Sequence, residues 1–219
     1  MNVNQKIRTL PFYSDLTQDE RVRIENCARI REYKRNSLIY SPEQECLGLI
    51  KLLSGSLRTF MLSEEGREVV LYRMGEGEID LLSASCVVNQ ISFETQMVAD
   101  IDCTLLVIPA TCLAEFKRNN LAVRCFIYEK LGERFSDVMK LMQTMLFTRI
   151  DRRIAGVLLG SGSDELRVTH EEIASAINSS REVVSRTLKE MERQSLIRLG
   201  RGRIIITDRS GLEAIAPVG

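Results

Sequence analysis

Apolar and polar positions change texture three times along the chain. Over residues 5–30 two short helical patterns flank the break LPFYSDL, and Thr17-x-x-Glu20 forms a capping box ahead of Val22, Ile24, Cys27 and Ile30. Between 35 and 110 the pattern shortens into β-rich runs: SLIY, LGLIKLLSGSLRTFML, REVVLYRM, SFETQMVADI and CTLLVIP. Gly48, Gly55, Gly66, Gly75 and Gly77 punctuate them, with Pro42 and Pro109 as further breaks, and SEEGRE between two runs predicts a hairpin. Many short strands with frequent turns predict an antiparallel roll or barrel.

From about 111 to 147 there is no proline and Gly132 is the only glycine, which predicts one long helix. Tyr128, Leu131, Phe135, Val138, Met142 and Met145 follow one another at intervals of 3, 4, 3, 4 and 3. That narrow seam is the period of a helix packed along a partner helix, so dimerisation through it is expected, a purely intramolecular core helix being the alternative. Ile127 and Leu141 add a second apolar edge suited to packing on the roll.

The last texture packs several elements into few residues. DRRIAGVLL predicts a helix from Asp151 to about 159, ended by Gly160 and Gly162, and LRVT suits a short strand. Thr169-x-x-Glu172 caps HEEIASAI, NSS makes a turn, and Ser179 or Ser180 serves as N-cap for the helix that follows. That helix turns Val183, Val184, Leu188 and Met191 inward and leaves Arg181, Glu182, Ser185, Arg186 and Lys189 outward. LIRLGRGRIIITD then reads as a hairpin with Arg201 at its tip, flanked by Arg198 and Arg203. Helix, tight turn, capped helix and hairpin make a winged helix-turn-helix. The fold class is therefore α+β: an N-terminal antiparallel β-roll with its long helix over 1–147, and a winged helix-turn-helix over 148–219.

Charge sharpens this picture. The formal net charge is zero, yet residues 179–209 hold eight Lys and Arg against four Asp and Glu. A phosphate backbone responds to such a local basic surface whatever the total. Arg181 and Arg186 suit bidentate contact with guanine, Glu182 can accept from a cytosine amino group, and Ser185 can touch a base edge or a thymine methyl. Ser179, Ser180, Thr169, Lys189, Arg201 and Arg203 would hold phosphates and set register. A solvated helix face with a Glu182–Arg186 pair at i,i+4 is the bland alternative.

Other chemistry is sparse. The six cysteines are at least nine residues apart with no Cys-x-x-Cys, and His170 is the only histidine, so no metal site is expected. Flanks such as DCTLLVI and VRCFIYE read as buried small hydrophobes, Cys86 and Cys46 being the better candidates for a redox thiol. A cupin-like enzyme would need histidines inside the roll, and no nucleophile–base pair is evident, so neither catalytic residues nor cofactors are expected. No apolar run approaches the roughly 20 residues of a membrane span and no signal-peptide core is present, so a cytoplasmic protein without a membrane partner is expected.

With these residues in view, the chain resembles the Crp/Fnr family of bacterial transcription regulators. The resemblance runs through LLSGSLRTFMLSEEGREVVLYRMGEGE, the long helix, RIAGVLL and SREVVSRTLKEME, and covers nearly the whole chain. It implies a cyclic-nucleotide-binding-like roll, a homodimer on an inverted repeat of double-stranded DNA, contact with RNA polymerase, and base reading by Arg181, Glu182, Ser185 and Arg186. Cyclic-nucleotide-binding members carry a Gly-Glu pair followed some ten residues on by Arg-Ser or Arg-Thr. Here Gly77-Glu78 is similar to an earlier pair, Leu81-Leu82 fall where the ribose-binding pair belongs, and Ser92-Phe93 fall near the phosphate arginine. No Arg or Lys occurs between Arg73 and Lys117. Burying a phosphate without a cation or a nest of amides is costly, so cyclic-nucleotide binding in the usual mode is not expected. Leu81, Leu82, Cys86, Ser92 and Phe93 then mark the place of some other small effector, if one is used. A redox thiol or no effector at all are the remaining alternatives, and an assembly module that never binds DNA is the competing function.

Overall fold

The computed structural model describes residues 3–43, 46–64, 66–81 and 94–216. The chain forms two compact units, one of Met1–Arg67 with Leu71–Val138 and one of Glu68–Val70 with Met139–Gly219.

The first unit opens with α1 (Val3–Ile7), a 3-10 turn at Tyr13–Asp15 and α2 (Gln18–Cys27). Both halves of the Thr17 capping box form: Thr17 Oγ1 accepts from Glu20 N, and Glu20 Oε2 accepts from Thr17 N. The helix stops at Cys27, so Ile30 lies in a strand, and Val22 is 48% exposed, facing away from the core. Among the described residues eight strands follow, β5 giving its first three residues to the second unit: β1 (Arg29–Tyr33), β2 (Leu38–Tyr40), β3 (Leu49–Ser54), β4 (Leu57–Leu62), β5 (Glu68–Met74), β6 (Ile79–Asp80), β7 (Gln96–Ala99) and β8 (Cys103–Ile108). They make two four-stranded sheets, ordered β1-β8-β3-β6 and β2-β7-β4-β5. The observed pairings are antiparallel, so the expected roll is what forms.

The first sheet is covered on both faces. On β3 and β8, Ile50, Leu52, Leu105 and Val107 pack with Leu57, Met97 and Tyr72 between the sheets. Their neighbours Leu49, Leu53, Leu106 and Ile108 point the other way and pack against Ile7, Phe12, Ile24, Phe116 and Ile127 of the helical layer. Alternation therefore vanishes from CTLLVI, because both phases are buried. Gly48, φ +90°, lets the β3 entry press on the β8 exit, where a Cβ would overlap the Ile108 carbonyl and crowd the Ala110 nitrogen.

The single helix expected over 111–147 is two: α3 (Ala110–Asn119) and α4 (Leu121–Phe147). Asn120 between them is extended, at φ −118° and ψ 118°. Its Oδ1 accepts from Val123 N at 3.2 Å, and its Nδ2 donates to Asp15 O at 3.1 Å and Glu20 Oε2 at 3.0 Å. One residue caps α4 and ties it to the start of α2, a break that continuous apolar periodicity cannot reveal.

The expectation of buried apolar cysteines holds for Cys103. Cys27 and Cys112 are half-buried and joined by a disulfide, Cys46 is disulfide-bonded as well, and Cys125 is unbonded and exposed.

The second unit contains the end of α4, then α5 (Ile150–Gly160), β9 (Glu165–Leu166), α6 (His170–Ala176), α7 (Arg181–Arg193), β10 (Ile197–Gly200), β11 (Arg203–Ile206) and α8 (Arg209–Ile215). Its core joins Ile154, Leu158, Ile173, Val184, Leu188, Met191, Ile204 and Leu212. The three strands are ordered β10-β11-β9.

Candidate nucleic-acid interface

Two capped helices and a hairpin build this surface. Thr169 caps α6 with both halves of a capping box, and Glu172 is held below the usual carboxylate value by those Thr169 hydrogen bonds. At the start of α7 the choice between two serines falls to Ser180, whose Oγ accepts from Val183 N at 3.3 Å. The turn between the helices passes through Asn178, which is 7% exposed with φ 50°. Its amide accepts from Val70 N at 2.8 Å and donates to Val70 O at 2.9 Å, which satisfies both polar atoms of a buried side chain. Arg153 Nη1 donates to the Ile177 carbonyl at 2.9 Å from the other side of the turn. Neither Asn178 nor Arg153 stands out from the sequence, apart from the tolerance of asparagine for left-handed backbone in a turn.

Once α7 is fixed, its faces divide sharply. Val184, Leu188 and Met191 are buried and Val183 is half-buried, while Arg181, Glu182, Arg186 and Lys189 are exposed and Ser185 is half-buried. Among the described residues no ion pair engages Arg181, Glu182, Arg186 or Lys189; the pair on this helix is Arg193 with Glu190. The bland Glu182–Arg186 bridge does not form. Arg181, Glu182, Ser185, Arg186 and Lys189 instead line one open face.

Beside it, Arg181 also lines a groove shared with Thr169, His170, Gly200, Gly202 and Arg203, where α6, α7 and the hairpin meet. The β10–β11 register pairs Gly200 with Arg203, leaving Arg201 and Gly202 (φ +69°) as the tip. Arg198, Arg201 and Arg203 are exposed there, Arg203 within 3.1 Å of Glu165. Thr169 is less available than expected, since its amide and hydroxyl both donate to Glu172 Oε2, so a phosphate would compete with the cap.

A helix whose N-terminal residues are exposed, charged and unpaired, flanked by a basic hairpin, is the geometry of a winged helix-turn-helix. Family models agree: the Crp-like helix-turn-helix domain matches residues 152–215, and the cyclic nucleotide-binding domain matches 30–120. A solved Crp/Fnr-family transcriptional regulator from Eubacterium rectale is 35% identical, with a TM-score of 0.85, over 95% of this chain and 98% of its own. The chain belongs to the Crp/Fnr family. It is a DNA-binding transcriptional regulator of that type. The cAMP-activated global regulator Vfr of Pseudomonas aeruginosa is 21% identical over 78% of this chain and 86% of its own length. The transcriptional regulator SdrP of Thermus thermophilus is 29% identical over 98 residues, 40% of this chain and about half (48%) of SdrP.

In this Crp/Fnr regulator the α4 seam is largely uncovered within its own chain. Tyr128, Phe135 and Met142 are 51%, 67% and 50% exposed, and Leu131, Val138 and Met145 are half-buried. Leu131 packs against both apolar cores of its unit, and Ile127 is buried, as its position on the second edge suggests.

Of the expected effector residues, Leu81 is buried in the helix-facing core, whereas Leu82, Cys86, Ser92 and Phe93 lie outside the described residues. Next to Leu81 is a polar cluster that sequence reasoning missed. Arg134 of α4 contacts Asp80 at 3.3 Å and Asp137 at 3.1 Å, and its guanidinium lies 4.5 Å from the Tyr72 ring centroid. Tyr72 donates to Asp80 at 3.0 Å, and burial, then Asp80, push the phenol well above its ordinary 10.0. Asp80 is fully buried, so Arg134 offsets a charge that would otherwise be stranded. No helix of the described residues is long and apolar enough to cross a membrane.

Proposed function

We propose that this regulator works as a homodimer that binds an inverted repeat in double-stranded DNA, reads bases with Arg181, Glu182, Ser185 and Arg186, and acts through contact with RNA polymerase. Ser179, Ser180, Lys189, Arg201 and Arg203 hold phosphates. The observation that carries this reading is the outward face of α7, where Arg181, Glu182, Arg186 and Lys189, spread over its first nine residues, have no ion-pair partner among the described residues. The uncovered apolar seam of α4 supports the dimer.

Its signal is not a cyclic nucleotide. No cation occurs from 74 to 116, and Arg134, the long-helix arginine of the polar cluster, already faces Asp80, Asp137 and Glu78. A phosphate placed there would meet carboxylates.

Selection of binding sites from random duplex DNA tests the reading. The expected result is a palindrome whose half-sites are centred about one helical turn apart. Binding without sequence preference would refute base reading by α7.

A further inference from the structure

DNA reading leaves a disulfide between two helices of the first unit without a role. Cys27 ends α2, Cys112 is the third residue of α3, and the two form a disulfide with Cα atoms 6.8 Å apart. Both are half-buried against the helix-facing core, within reach of a small reagent. We infer that Cys27 and Cys112 are a reversible thiol–disulfide pair that gives the N-terminal unit a redox input, an inference that rests on the DNA-binding reading for its output.

The bond is not what holds α2 to α3. Ile24, Leu113 and Phe116 are buried between them and the sheet, Arg23 pairs with Glu115, and Asn120 reaches both Asp15 and Glu20. Contacts of this kind survive reduction, so the dithiol form keeps the fold. A protein that reads promoters works beside DNA, where thiols are generally kept reduced and disulfides are mostly transient and sensory.

Position also supplies reactivity. Cys112 lies in the first turn of a ten-residue helix whose N-cap, Pro109, makes no side-chain cap bond. The positive end of that helix favours the thiolate. Cys27, when reduced, has the Ile24 carbonyl 3.5 Å from its sulfur as acceptor for its proton.

With hydrogen peroxide as oxidant, the Cys112 thiolate attacks the O–O bond and takes one oxygen as a sulfenic acid, while the other leaves as hydroxide and becomes water with the proton that the thiol gave up. The Cys27 thiol then attacks the sulfenic sulfur, forming the S–S bond, and its proton leaves with the sulfenic hydroxyl as a second water. Two thiols and one peroxide give one disulfide and two waters. A small dithiol reverses the change by exchange and becomes a disulfide itself. The pair is well placed to be felt, because α3 carries Cys112 in its first turn and ends at Asn119, next to Asn120, which caps α4.

The test uses the full-length protein equilibrated in glutathione buffers of stepped ratio, with free thiols alkylated before peptide mass spectrometry. The Cys27–Cys112 linked peptide should appear in the oxidised buffers and disappear in the reduced ones. Affinity for the selected DNA site should differ at least fivefold between the two ends. Cys27→Ser and Cys112→Ser should each fix the affinity at the reduced value, while Cys125→Ser still switches. The titration of unaltered protein stands by itself if either serine variant folds poorly. Interconversion with unchanged DNA affinity would overturn the switch and leave the regulator reading intact. A metal copurifying in equal ratio and shielding both sulfurs from alkylation would overturn it too. No DNA affinity in either state would overturn the regulator reading, and the switch with it.

Discussion

Arg186 and Arg201 carry the same charge on the same unit but sit on different supports. Arg186 projects one turn into α7, beside Glu182 and Ser185, where a bidentate fork can meet a base edge. Arg201 sits at the tip of a two-residue turn and can meet only what passes the hairpin. Arg186→Ala should therefore cost roughly 1–3 kcal/mol on the best site and relax preference at one base pair, measured by competition binding. Arg201→Ala should weaken all sequences alike and flatten the salt dependence by about one unit. The opposite pattern would exchange their roles. At Arg134 the effect belongs to stability. Arg134→Ala leaves the fully buried Asp80 without its guanidinium and should destabilise the protein by about 3–5 kcal/mol in urea melts. Adding Asp80→Asn should recover much of that loss.

At the scale of elements, caps decide where helices begin. Ser180 closes α7, Thr17 and Thr169 close α2 and α6, and Asn120 opens α4. Asn120→Ala should cost about 1–2 kcal/mol, since a cap and two ties to the α2 region go together. Acid should loosen the capping boxes. Desolvation raises the Glu20 value, but hydrogen bonds from Thr17 and Asn120, aided by Arg23, outweigh it and hold it below 4.5; Glu172 is lowered as well. Groups whose folded values are depressed contribute stability that is complete above the unfolded value and fades as pH falls through the folded one. Thermal melts should thus lose stability below about pH 4.5, and Glu20→Gln should show a shallower loss.

For the whole molecule, the α4 seam sets the expected assembly. Leu131 is a poor probe because it packs against both cores of its own unit, whereas Phe135 and Met142 are exposed. The pair Phe135→Asp and Met142→Asp should give monomers by sedimentation, with thermal stability little changed and specific DNA binding lost, because one monomer meets one half-site. An unchanged dimer would move the interface elsewhere. Calorimetry with cyclic AMP and cyclic GMP should show no saturable heat at micromolar concentrations, and a clear site would mean that Arg134 trades its carboxylates for a phosphate.

What the sequence determined by itself was what repeats or what is local. Strand runs, the capping boxes at Thr17 and Thr169, the hairpin at Arg201 and the two-faced α7 are written in spacing, because period and turn chemistry act within a few residues. That was enough for the roll, the helix-turn-helix and the outward set Arg181, Glu182, Arg186 and Lys189. Tertiary structure alone decided the rest. Continuous CTLLVI does not say which phase faces which core; two packed layers settle that Leu105 and Val107 face one and Leu106 and Ile108 the other. Asn120 looks like any helical residue until Asp15 and Glu20, a hundred positions earlier, stand beside it. Cys27 and Cys112 are 85 residues apart, and Tyr72, Asp80 and Arg134 come from two sheets and a helix. Such groups meet only when the chain closes on itself, so no local period can announce them.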